Sequence, residues 1–170
     1  MAFGDIIQVK TGVHFDVPPS GADTVSATLS PSAIEGNLIV ACHFTGAGNS
    51  IGPSGFSEAF ALTDGGNADQ GALYYKIAAG GETTITCTSD TEDEHMLIVL
   101  EIEGPWDSAP LDQTATFGPS TGSFSYTIGP TGTTTVDDEV AIAMGTIRVG
   151  STNSMAYNVG SGFTEQAEVH

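Results

Sequence analysis

Apolar and polar residues alternate along much of this chain with a period of two, and glycine and proline interrupt the alternation roughly every 10 to 15 residues. Ile7, Val9, Val13, Phe15 and Val17 alternate with Gln8, Lys10, His14 and Asp16, which predicts a half-buried first strand ending at Pro18-Pro19. Thr24 to Leu29 predicts a second. Ser30-Pro31-Ser32 and Glu35-Gly36-Asn37 turn the chain into Leu38 to Thr45, a nearly continuous apolar run typical of a central strand. Residues 46–55 have little to bury and predict an exposed loop before a strand from Phe56 to Leu62; Thr63 to Gly71 predicts a second loop. Ala72 to Ala78 and Thr83 to Thr88 flank Ala79-Gly80-Gly81-Glu82, the pattern of a hairpin. After the acidic stretch Ser89 to Glu94, His95 to Ile102 predicts a further apolar strand, stopped by Gly104-Pro105.

Phe124 to Ile128, Thr133 to Val136 and Val140 to Arg148 extend the same grammar. Thr24 to Phe56 is echoed by Tyr126 to Phe163, each half reading as turn, core strand, loop and a Ser-Gly-Phe strand. The expectation is an all-β, two-sheet antiparallel sandwich, jelly-roll-like, with about nine or ten short strands and almost no helix. One domain spans 1–170, with an N-terminal strand or arm over 1–22 and weakly repeated halves over 24–112 and 124–170.

Composition agrees with a β fold, because 22 Gly, 8 Pro and a Thr/Ser-rich remainder disfavour helix interiors. Charge narrows the partners. Three Lys plus Arg stand against 21 Asp plus Glu, a formal charge of −18. A polyanion held close needs Lys and Arg to replace its counterions, so nucleic acid and anionic membranes are set aside. With 14% charged and 39% apolar residues, the acidity reflects missing cations in a folded chain and not a disordered tail. The first residues show no basic and apolar leader, and Met96 to Leu100 is too short to span a bilayer, so synthesis in the cytoplasm is expected. In those reducing surroundings Cys42 and Cys87 read as buried free thiols, with an inter-sheet disulfide as the alternative.

Catalytic chemistry is scarcely signalled. His14, His43, His95 and His170 lie far apart with no zinc-type spacing, and His43 and His95 read as hydrogen-bonded or surface residues. No serine occupies a nucleophile elbow. Glu101 and Glu103 share a strand face and are the pair a glycosidase would use, but a solvated strand face is the simpler reading. Two loops offer clustered oxygens for calcium, one with Asp64, Asn67 and Asp69, the other with Asp90, Glu92 and Asp93, although neither follows the helix-loop-helix pattern. Trp106 reads as a ring packed over the end of the sandwich, or as an exposed platform for a glycan or partner.

Glu35-Gly36-Asn37 leading into Leu38-Ile39-Val40, Ser54-Gly55-Phe56, the run Gly71 to Thr86 with its Tyr74-Tyr75 pair, Glu101 to Gly104, and Pro110-Leu111-Asp112 together resemble the small β-sandwich proteins encoded among tailed-bacteriophage structural genes. The likeness covers 24–112 and continues, shortened, through Ser161-Gly162-Phe163. It implies a virion component on the capsid exterior, as decoration or spike, or in the tail and its fibres, without enzymatic activity or cofactor. The expected partners are further copies of the chain and other virion proteins. The alternative is a carbohydrate-binding adhesin module for host attachment. Asn49, Ile51, Trp106, Asn153 and Tyr157 are the candidate contact surface, since long loops carry contacts while strands carry the fold.

Overall fold

A computed structural model describes residues 4–15, 23–63, 69–91, 93–116, 130–135, 139–145 and 162–169. These contain eight strands and no helix: β1 (Ile6–His14), β2 (Asp23–Thr28), β3 (Leu38–Thr45), β4 (Ser50–Ile51), β5 (Ser57–Thr63), β6 (Gln70–Ile77), β7 (Thr84–Ser89) and β8 (His95–Ile102). They form two antiparallel sheets, β1-β8-β3-β6-β5 and β2-β7-β4. Strand 1 pairs with 8, 2 with 7 and 3 with 6, the nested order of a jelly roll. The departure is β5, which joins the outer edge of β6 through a bulge between Glu58 and Phe60.

Burial explains the strand patterns. In β2, Val25 and Ala27 are buried and Thr24, Ser26 and Thr28 are exposed, as a sheet with one wet face requires. Its outer face carries a Ser26–Thr86 hydroxyl pair at 2.8 Å. Between the sheets lie Val25, Ala27, Leu29, Ile85 and Cys87 against Ile39, Ala41, Ala72, Tyr74, Leu97 and Val99. Strand β3 is mostly apolar because its other face is covered too: Leu38, Val40, Cys42, Leu73, Leu100 and Ile102 form a second layer, against which Trp106, Val140, Ile142 and Met144 pack. Each fully buried aliphatic side chain in these layers contributes about 1.5–3 kcal/mol. Both thiols are free, and they lie in different apolar layers, Cys87 of β7 between the sheets and Cys42 of β3 in the second layer.

Three expectations change. The hairpin over 72–88 does not form: β6 and β7 lie in different sheets, and the segment between them is an arch. Its backbone groups bond to the β2–β3 connection, with Ala33 N to Glu82 O at 2.8 Å, Gly81 N to Ala33 O at 2.9 Å and Ala78 N to Asn37 O at 2.8 Å. Gly80 and Gly81 are both left-handed, at φ 86° and 87°. The glycine signal marked a reversal correctly, but neighbouring strands and not the turn decided the pairing. In β1, a bulge between Ile6 and Gln8 shifts the alternation, so Gln8 is buried while Ile6, Val13 and Phe15 are exposed. Finally, residues 46–55 are not a free loop, since they contain β4 and are tied to β7.

Among the described residues of the C-terminal third no strand is present, although Val140, Ile142 and Met144 turn inward and Ala141 and Ala143 outward, as a strand would. The predicted strand over 124–128 and most of the second half-repeat lie outside the described residues.

Candidate functional site

Two polar networks run through the sandwich. The first centres on Glu101, fully buried in β8 and so not on a solvated strand face. Its Oε1 accepts from the Ile34 amide (2.8 Å) and Asn37 Nδ2 (2.7 Å), and its Oε2 accepts from Gln8 Nε2 (2.6 Å). Gln8 also reaches Pro31 O (2.9 Å) and the Ser30 amide (3.1 Å), while Asn37 Oδ1 accepts from the Gly104 amide (3.1 Å). A carboxylate this well supplied with donors is a fastener for the 30–37 connection. Glu103 lies just past the end of β8.

The second network brings together three histidines that are distant in sequence. His14 ends β1 and is the register partner of His95, which begins β8; His43 lies in β3 beside His95. His43 Nδ1 is 2.6 Å from Ser50 Oγ, and His43 Nε2 is 3.1 Å from His95 Nδ1, the two rings within 5° of parallel. Tyr74 lies on the far side of Ser50, its hydroxyl 3.0 Å from both Ser50 Oγ and Ser50 O. At the other end Asp23 Oδ2 is 2.7 Å from His14 Nε2 and 3.9 Å from His95 Nε2.

Tyr74 donates its hydroxyl proton to Ser50 O. Burial first, then His95, pushes His43 down to about 3. Burial also lowers His95, against the opposing pull of Asp23. Burial raises the Tyr74 phenol. The network ends at His95 Nε2, buried and without a hydrogen bond.

His43, Ser50 and Tyr74 together tie β3, β4 and β6. Burial pushes the Cys42 thiol up to about 12, and burial with Cys42 pushes Cys87 up to about 12.

The sequence-predicted site residues are scattered. Asp69 is buried, while Asp90 is exposed and clamps Asn49, accepting from its amide and its Nδ2 at 2.7 Å each. Asp93 Oδ1 accepts from the Glu94 amide (2.7 Å). Asp64, Asn67, Glu92, Asn153 and Tyr157 lie outside the described residues. Ile51 is exposed. Trp106 packs on the second apolar layer and donates from Nε1 to Ile102 O at 3.3 Å, so its ring caps the sandwich. The histidine network was missed because no local spacing encodes it; the available signal was a polar residue inside an apolar strand, His43 in β3 and Glu101 in β8.

No protein-family model, no curated protein and no solved structure matches the chain.

Proposed function

We propose that the chain is a non-enzymatic virion structural protein of a tailed bacteriophage, a capsid-exterior decoration or spike or a tail or fibre component, acting by protein–protein assembly. The observation that carries this reading is how the described polar groups are used. Glu101, Gln8 and Asn37 fasten a connection, and His43, Ser50 and Tyr74 tie strands together. The resemblance across residues 24–112 supports the same reading. So does the charge of −18, which packaged DNA would repel and which suits an outer surface. Assembly has a physical basis as well: among the described strands only β6 pairs with β5, whose other edge offers unpaired backbone groups to a neighbour.

Mass spectrometry of purified particles tests the proposal, together with light scattering of the isolated chain. The expected result is the chain at stoichiometric abundance in intact particles and an oligomer in solution. A monomer that is absent from particles but binds defined sugars on a glycan array would overturn it in favour of the adhesin reading.

A further inference from the structure

The histidine network crosses between the sheets twice at one end of the sandwich. His14 and His95 of the larger sheet face Asp23 at the start of β2, at 2.7 Å and 3.9 Å, and His43 of β3 meets Ser50 of β4 at 2.6 Å. Between these crossings lies one buried contact, His43 Nε2 to His95 Nδ1 at 3.1 Å, with the ring planes 5° apart and the centroids at 5.3 Å. Both rings are fully buried, and His95 Nε2 has no hydrogen bond.

How much charge this pair can hold follows from its protons, and the answer is the same for either tautomer order. Two neutral rings carry two protons on four nitrogens, and the 3.1 Å contact takes one of them, owned by either ring. The second sits on His43 Nδ1 in one order and on His95 Nε2 in the other. A third proton fills whichever of those two is empty, so both orders lead to one cation, with Nδ1–H toward Ser50 Oγ and Nε2–H toward Asp23. A fourth has only the contact itself to enter. It would set two N–H groups head to head at 3.1 Å and stack two cations 5.3 Å apart out of water.

The folded pair therefore accepts one charge at most, whereas each histidine of an unfolded chain takes its own below about pH 6.5. Burial is the largest influence and holds both rings below the ordinary histidine range, assisted at His43 by His95. At His95 the carboxylates of Asp23 on β2 and Asp93 before β8 pull upward, and His14 on β1 pushes downward. Tyr74 of β6 meets the pair only through Ser50.

We propose that His43 and His95 form an acid-released latch, which ties the two sheets together at neutral pH and frees β4 from β3 and β6 as the surroundings acidify. Such a latch does not depend on the virion reading. Because both folded values are lowered, its stability is present in full above the unfolded value near 6.5 and is lost as pH falls toward the folded ones. The Glu101 fastener at the other end of β8 differs, since its donors, the Ile34 amide, Asn37 and Gln8, do not titrate.

The test uses the full-length chain. Urea denaturation at pH 7.5 and 5.5 should show the folded-to-unfolded ratio falling ~10-fold if the folded pair takes one proton and ~100-fold if it takes none. His43→Asn, which keeps an amide beside Ser50 but no titrating ring, should show a fall about ten-fold smaller. Hydrogen exchange, corrected for its intrinsic pH dependence, should show the Ser50 amide losing more protection on acidification than the Ile34 amide. Ring-nitrogen NMR of the wild type decides even where the variant does not fold: His43 and His95 should never be charged together in the folded chain. Both rings charged at once, a ratio equal at the two pH values, a fall as large in His43→Asn as in wild type, or equal losses at Ser50 and Ile34 would each overturn the proposal.

Discussion

The backbone amide of Ile34 donates to the carboxylate of Glu101, 67 positions away, across 2.8 Å. The β2–β3 connection thus rests on a side chain from β8, and the bond predicts a large effect from a small change. Glu101→Ala leaves the Ile34 amide, Asn37 Nδ2 and Gln8 Nε2 without their acceptor inside the protein. It should cost at least ~3 kcal/mol, while Glu101→Gln, which keeps one acceptor oxygen, should cost clearly less. Urea denaturation of the three proteins checks the order; equal midpoints would contradict it.

Two glycines with similar backbones should behave differently. Gly48 and Gly55 are both left-handed, at φ 74° and 80°. A Cβ on Gly48 would overlap the side chains of Thr91 and Asp90, whereas one on Gly55 meets nothing. Gly55→Ala should therefore cost about 1–2 kcal/mol from strain alone, and Gly48→Ala should cost more because it also pushes on the Asn49–Asp90 clamp. Thermal melts decide this, and the same logic predicts that replacing 46–55 with a short Gly-Ser turn lowers stability by removing Ser50 and β4.

Neither thiol should react in the folded state. With both pushed up to about 12 and both buried, Cys42 and Cys87 should resist a thiol-specific chromogenic reagent at pH 8 and both react after addition of guanidinium. Rapid labelling without denaturant would show that the apolar layers open readily.

Lys76 is one of only three Lys and Arg residues in the chain, and it meets Glu82 at 2.8 Å beneath the arch. Burial alone would raise the Glu82 carboxyl, but the Lys76 hydrogen bond and the Ala79 amide hold it below the usual range. Its contribution, roughly 1 kcal/mol, is present above the unfolded-state value near 4.5 and fades as pH falls through the lower folded-state value. Denaturation of wild type and Glu82→Gln between pH 7 and 3 should show a gap that closes with acid. A constant gap would contradict the assignment.

Strands β3 and β8 could be read directly from the sequence because a strand buried on both faces has no room for alternation, and Leu38 to Thr45 and His95 to Ile102 show almost none. The partners were harder to read. Ala79-Gly80-Gly81-Glu82 carries a hairpin signal, yet its amides and carbonyls are satisfied by Ala33 and its neighbours, a choice that depends on residues some 45 positions earlier. The inward turn of Gln8 follows from a bulge, which shifts every later side chain by one and leaves no mark in composition. The histidines converge only because β1 and β8 are neighbours in register, a fact of topology that no spacing along the chain contains.

The nested pairing also sets a timetable for synthesis. Strand β1 is made well before its partner β8, with Ile6 opposite Ile102. At about 5–20 residues per second a ribosome takes roughly 5 to 20 seconds to cover that interval. Until β8 emerges, Leu38, Ile39 and Val40 have at most β6 beside them and no strand on the other edge of β3, which an equally unfinished chain on the same messenger could take. Spacing between ribosomes therefore matters to this protein: dense translation should yield aggregate, and sparse translation folded chains.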